Sequence, residues 1–270
     1  LPLGGAYNWL THILAEQLVW QMVRAPFNQW RRESLKLKPM PLRGPFDDLY
    51  KNNEPFIYGF SEYVVPRQND WHPAHHITGY WFLDEADVWS PPPGLLDFLA
   101  RGAPPIYIGF GSMSGHSARR LVDLSIQAVT LAHQRAVLIG GWAAAHERNL
   151  PDHIYALESA PHDWLFPRVA AVVHHGGAGT TAAGLRAGIP SVITPFMGDQ
   201  PYWGQRVHAL GVGPKPILQK ELTAQRLANA ITRAITDEEM KQRAIALGEK
   251  IRAENGVARA VEIVSRYVSK

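Results

Sequence analysis

From Ala103 onward, short apolar runs alternate with longer amphipathic ones, and nearly every apolar run breaks off at a glycine or serine turn. Pro105-Ile106-Tyr107-Ile108-Gly109-Phe110 runs into Gly111-Ser112-Met113. Residues 136–140 run into Gly141-Trp142, residues 153–157 into Ser159 and residues 171–175 into Gly176-Gly177. Residues 191–194 run into Pro195-Phe196-Met197-Gly198-Asp199-Gln200. Helical patterns cover residues 117–134, 201–210 and 223–235, with a short helical piece at 164–166. Residues 237–267 are largely helical, and Gly248 and Asn255-Gly256 are expected to break them. This strand-then-helix rhythm predicts an α/β fold with a parallel sheet covered by helices on both faces. Ligands of such sheets bind beyond the carboxyl ends of the strands, so these turns are expected to ring one crevice.

Ahead of that region the pattern differs. Residues 7–38 read as an amphipathic helix, with Tyr7, Leu10, Ile13, Leu14, Leu18, Met22 and Val23 at helical spacing. Within 20–38, Trp20, Phe27 and Trp30 lie among Arg24, Arg31, Arg32, Lys36 and Lys38. That mixture suits peripheral contact with an anionic membrane surface, or a helix whose aromatics pack on the rest of the protein. Residues 56–60 and 77–83 are strand candidates around a loop at 66–76, and residues 84–94, with Pro91-Pro92-Pro93, read as a semi-rigid extended linker. The expected division is an N-terminal part at 1–83, a linker at 84–102 and a domain at 103–270. Asp84-Glu85-Ala86-Asp87 spells the acidic box of a nucleotide-driven motor, but nothing in the chain matches the phosphate loop that would present magnesium to it.

A charged fraction of 19% against 46% hydrophobic residues describes a globular chain, and a net charge of +3 is too small to argue for nucleic acid. The absence of cysteine excludes disulfides, thiolate metal sites and thiol nucleophiles, and fits a reducing, cytoplasmic setting. No apolar run reaches the roughly 18 residues of a membrane span. The chain starts at Leu1 without a methionine, as a processed product or a fragment would.

The best-marked chemistry lies at residues 171–184. An apolar run breaks at His174-His175-Gly176-Gly177-Ala178-Gly179-Thr180-Thr181 and becomes helix-permissive, which places helix N–H groups, hydroxyls and a histidine around one anion-sized spot. Alternation along a strand sends His174 and His175 to opposite sides, so His174 is expected in the core and His175 at the crevice, donating to a phosphate oxygen. Ser112 suits a phosphate contact or an ordinary turn, Trp142 a base stack or simple packing, and His162 with Trp164 a ligand contact on a crevice loop or a packing role. Asp199-Gln200 suits several sugar hydroxyls, or Asp199 caps the next helix ahead of Pro201. A rival reading is present: Gly177-Ala178-Gly179-Thr180-Thr181-Ala182 fits G-x-G-x-x-A, the dinucleotide fingerprint of an NAD-dependent oxidoreductase, with Asp199 placed like its ribose acid. Against it, the match comes late in a sheet that starts near Pro105, whereas the fingerprint follows a first strand.

The glycine stretch, followed by Gly188-Ile189-Pro190 and by Pro195 to Trp203, resembles the donor-binding signature of UDP-dependent glycosyltransferases, in their sterol-glucosyltransferase-like branch. Gly109 to Met113, Ala160 to Phe166 and Gly79-Tyr80-Trp81-Phe82-Leu83 are similar to that branch too. The resemblance implies a GT-B architecture: a Rossmann-like C-terminal donor domain plus the C-terminal part of an N-terminal acceptor domain. It implies inverting, metal-independent transfer of a hexose, by default glucose, from a UDP-sugar to a lipophilic hydroxyl acceptor, with no separate cofactor. By motif, Ser112, His175, Gly177, Gly179, Thr180 and Thr181 would hold the diphosphate. Asp199 and Gln200 would hold the sugar, and Ser159, Ala160 and His162, with Trp142, the uridine. The chain has Ala183 where the plant branch carries a ribose-binding Glu, and Ser159 where that branch stacks a Trp on uracil. The family's catalytic base belongs to an early N-terminal loop, so the resemblance places it upstream of Leu1 or on a separate N-terminal fragment. Without it, the chain would be a donor-binding module that does not transfer.

Overall fold

The computed structural model describes residues 4–111, 116–140 and 150–269, which fall into two compact units. One comprises residues 1–57, 70–76 and 263–270; the other comprises 58–69 and 77–262.

In the first unit a long helix, α1 (Gly5–Glu33), is followed by a return segment and a short α2 (Phe46–Lys51). Side chains of α1 bind the carbonyls of the returning chain: Trp20 Nε1 and Gln21 Nε2 both donate to the Leu42 carbonyl, at 3.0 and 2.7 Å. Asn28 is bonded both ways to Met40, accepting from its N–H and donating to its carbonyl. Trp20 is therefore buried and is withdrawn from the basic-aromatic surface expected over residues 20–38. Trp9, Leu14, Leu18 and Met22 are exposed on the same helix. Among the described residues no helix is long and apolar enough to cross a membrane.

A two-stranded ribbon pairs β1 (Phe56–Tyr58) with β2 (His75–Ile77). The strand expected at 77–83 thus ends where it was to begin, and residues 78–83 take no regular conformation.

The second unit is built on five parallel strands, β3 (Ile106–Gly109), β4 (Ala136–Ile139), β5 (Ile154–Leu157), β6 (Ala171–His174) and β7 (Ser191–Ile193). Their spatial order is β5-β4-β3-β6-β7, and Gly109 stands opposite His174 in the register. Alternation along β3 sends Ile106 and Ile108 to a cluster with Val129, Leu227 and Ile231, and Tyr107 to the opposite face with Val137, Val172 and Phe166. The first cluster lies under α4 (His116–Leu131) and α8 (Ala224–Thr236). The second includes Leu95 and Phe98 of α3 (Pro93–Ala100), so the expected extended linker turns helical at Pro93, a residue well suited to a first helical position.

After β5 come a one-turn α5 (His162–Leu165) and a 3₁₀ turn. α6 (Ala178–Ala187) follows β6, and α7 (Gln200–Ala209) follows β7. The chain ends in α9 (Glu238–Arg252) and α10 (Gly256–Val268). Asn255-Gly256 does separate these last two, but Gly248 does not break α9. It is a packing contact: a Cβ there would sit 2.7 Å from the Cα of Gly188, the left-handed residue that ends α6.

Candidate functional site

In chain order the sheet reads 3-2-1-4-5, so the winding reverses between β3 and β6. The carboxyl ends of these two strands open a crevice at that switch point. β6 delivers His174 and His175 there. His174 is fully buried, and its Nδ1 accepts the Gly176 N–H at 3.1 Å, which puts the ring proton on Nε2. Burial, with His175 and His162 nearby, pulls its pKa down to about 3, so the ring is neutral. Gly176 takes φ +88°, the left-handed bend that turns the strand into the helix start.

His175 is half-buried, with its imidazole lying over the turn between Gly111 and Gly177. A Cβ on Gly177 would stand 2.5 Å from His175 Nε2, so the ring can lie there only because residue 177 is glycine. Burial lowers the His175 pKa; the Gly109 carbonyl and the Asp199 charge pull it the other way. Directly after it, Gly177 precedes α6, whose first turn offers backbone N–H groups and the positive end of the helix dipole.

Gly179, Thr180 and Ala183 on α6 line one wall of a cleft of roughly 1030 Å³; Ala160 and His162 line another. His162 also stacks on Phe166, with centroids 4.4 Å apart, and lies 3.4 Å from the Tyr107 hydroxyl, and burial lowers its pKa. The segment 81–87 lines the cleft as well. Asp163 Oδ2 accepts the N–H groups of Glu85 and Ala86 at 2.9 and 2.8 Å, and Asp84 meets Arg186 in a two-pronged ion pair, 2.8 Å for Nη2–Oδ2. Arg186 also lies over the Phe82 ring at 4.4 Å.

Asp199 and Gln200 occupy the turn after β7. Asp199 is exposed and its side chain caps nothing; Oδ2 accepts from Trp203 Nε1 at 2.7 Å. Gln200 Oε1 accepts the N–H groups of Phe196 and Met197 at 2.8 and 3.1 Å.

Of the residues expected from sequence, Ala160, His162, Gly179 and Thr180 thus share one cleft. His175 and Gly177 stand at the switch point, and Asp199 and Gln200 hold the neighbouring turn. Ser159 is exposed past the end of β5. Thr181 departs from expectation: it is fully buried and its hydroxyl donates to the Gly177 carbonyl at 2.9 Å, so the side chain serves the helix. Ser112 and Trp142 lie outside the described residues. The acidic box read as idle supplies, through Asp84, the anchor for Arg186, a partner 102 positions away that no local pattern announces.

A parallel sheet in this order, with a glycine turn and helix start at its switch point, is the Rossmann-like arrangement of GT-B glycosyltransferase folds. Residues 126–268 match the family model described as "Erythromycin biosynthesis protein CIII-like, C-terminal domain", and the chain belongs to that glycosyltransferase family. It is 42% identical over 98% of its length to a sterol 3-beta-glucosyltransferase of Emericella nidulans, and 40% identical over 96% to one of Arabidopsis thaliana. It spans 19% and 40% of the lengths of those two relatives. The crystal structure of the glycotransferase of kitacinnamycin superposes with a TM-score of 0.71 at 20% identity, covering 97% of this chain and 67% of that one. The dinucleotide reading of Gly177-Ala178-Gly179 is not favoured, because the turn follows β6, the fourth strand of the sheet in chain order.

Proposed function

We propose that this chain provides the nucleotide-sugar site of an inverting, metal-independent glycosyltransferase, which moves a hexose from a UDP-sugar to a hydroxyl of a sterol or similar lipophilic molecule. One observation carries the reading: His175 and the N-terminus of α6 stand together at the β3–β6 switch point, with Asp199-Gln200 on the adjoining turn. The names of the two relatives support glucose and a sterol as the groups joined.

In this reading the diphosphate lies on the first turn of α6, taking hydrogen bonds from its backbone N–H groups, from Thr180 and from His175. The uridine lies in the cleft beside Ala160 and His162, and the hexose meets Asp199 and Gln200. An acceptor hydroxyl gives its proton to a base and attacks the anomeric carbon from the face opposite UDP. The new C–O bond forms as the bond to the β-phosphate oxygen breaks, and the electron pair leaves on UDP. Charge grows on that oxygen, where the helix dipole and the preorganised donors stabilise it without a metal ion.

Titration calorimetry with UDP, UDP-glucose and NADH in the presence of EDTA tests the proposal. UDP and UDP-glucose are expected to bind and NADH is not; NADH binding without UDP binding would overturn it. Asp199→Ala is expected to cut UDP-glucose affinity about tenfold, the scale of a lost hydrogen bond to a charged group, with UDP affinity nearly unchanged. Equal losses for both ligands would remove Asp199 from the hexose site and leave it the role of holding the turn through Trp203.

A further inference from the structure

Building on the assignment of Asp199 and Gln200 to the hexose, we infer that Trp203 is a positioning residue. It pins one oxygen of the Asp199 carboxylate, an acceptor by its own chemistry, while the backbone of residues 196 and 197 fixes the polarity of Gln200, so that Asp199 accepts from the sugar and Gln200 donates to it.

The geometry begins at a cap that does not cap. Asp199 stands at the N-cap position of α7, where an aspartate ordinarily accepts from first-turn N–H groups. Its backbone is already helical, at φ −84° and ψ −6°, and its carboxylate makes no such bond. Oδ2 instead takes the Trp203 indole N–H at 2.7 Å. Trp203 is one turn on, 8% exposed, and packed in a cluster with Ala182, Ile193 and Val207. An indole N–H can only donate, and this one is carried on a ring the core holds still. It pins the carboxylate by one oxygen and leaves Oδ1, an acceptor, for the ligand.

Gln200 is constrained in the complementary sense. Two backbone N–H groups, those of Phe196 and Met197, point at a single atom of its amide. Only the carbonyl oxygen can accept both, so the orientation of the amide follows from chemistry rather than assignment. With Oε1 engaged twice, Nε2 is the half of the amide left to a sugar, and it donates. The turn therefore offers one fixed acceptor beside one fixed donor. A hexose hydroxyl at Asp199 must give its proton, and a hydroxyl at Gln200 must receive one.

Two measurements test this on the chain as it stands. Trp203→Phe keeps an aromatic ring in the core and removes the donor. UDP-glucose affinity is expected to fall about tenfold while UDP affinity stays within about twofold, with a thermal melt confirming the fold. Unchanged preference for UDP-glucose over UDP in a folded Trp203→Phe protein would overturn the inference. The second measurement needs no variant: wild-type affinity for the 3-, 4- and 6-deoxy UDP-glucoses and their fluoro counterparts. Fluorine accepts weakly and cannot donate. At the position facing Asp199 the deoxy and fluoro sugars should lose affinity alike; at the position facing Gln200 the fluoro sugar should recover part of the loss. Recovery by fluorine at every sensitive position would overturn the assigned polarity. If wild type binds UDP and UDP-glucose equally well, the hexose assignment itself fails and this inference falls with it.

Discussion

Replacing His175 by alanine is expected to weaken UDP binding by about ten- to a hundredfold, the range for a hydrogen bond between charged or charge-facing partners, and to move the melting temperature little. The stability half of the expectation follows from where the ring lies. It is half-buried over Gly111 and Gly177 at the crevice, unlike the fully enclosed His174. The binding half has a pH signature that a packing role would not produce. Burial holds the His175 pKa below its ordinary value, so the free ring is largely neutral at pH 7. A diphosphate in contact favours the imidazolium, so binding takes up a proton and affinity should strengthen as pH falls from about 8 to 6. UDP-glucose is the ligand to use, because its diphosphate diester stays fully ionised across that range and only the protein titrates. Calorimetry in buffers of different ionisation enthalpy would count the proton directly. His175→Gln retains a donor without a titratable ring and should bind with a flatter pH profile. Equal UDP affinity in His175→Ala and wild type, or an unaltered slope in His175→Gln, would remove the ring from the diphosphate site.

The sheet was legible in the sequence because parallel strands covered on both faces read as continuous apolar runs. The observed β3, β4, β5, β6 and β7 fall inside the runs at 105–110, 136–140, 153–157, 171–175 and 191–194. The divergence of His174 and His175 was legible too, since it needs only the two-residue period of a strand. What escaped was whatever depends on a distant neighbour. Residues 78–83 look like a strand by composition, but after Thr78 and Gly79, whose N–H groups donate to the Tyr58 and Phe60 carbonyls, they take no regular conformation. Gly248 looks like a helix break because sequence shows a missing side chain and not the Gly188 backbone that needs the room. Pro93 reads as linker until Leu95 and Phe98 are seen to bury their side chains against Tyr107 and Phe166. Thr181 sits in a ligand-binding motif, yet its place on α6 turns it inward. Asp199 carries the signature of a cap, and only the position of the Trp203 indole shows its carboxylate to be held elsewhere.

His174, one residue from the proposed ligand contact, is expected to act in the opposite way: His174→Ala should lower stability by about 2–4 kcal/mol, the scale of a buried truncation. The ring is wholly enclosed, and its loss opens a cavity and leaves the Gly176 N–H without an acceptor at the bend that starts the phosphate cradle. The sign of the pH effect follows from the two pKa values. In the unfolded chain the ring titrates near 6.5; in the folded protein it is pulled down to about 3. Between those values the unfolded state binds the proton and the folded state does not. The stability contributed by the neutral ring is therefore complete above pH 6.5 and is lost as pH falls toward 3. The limiting slope is about 1.4 kcal/mol per pH unit. His162 and His175 are shifted in the same direction and add to the wild-type slope, so the informative quantity is the difference from a variant. His174→Asn can still accept the Gly176 N–H while removing the titration. Urea unfolding at pH 5 and pH 7 should then show a smaller loss for His174→Asn than for wild type, from a lower starting stability. Identical pH slopes would mean the buried ring is not the group whose protonation opposes folding. UDP affinity at pH 7 in the folded His174→Asn protein should stay close to wild type, which separates the histidine that builds the turn from the one that faces the ligand.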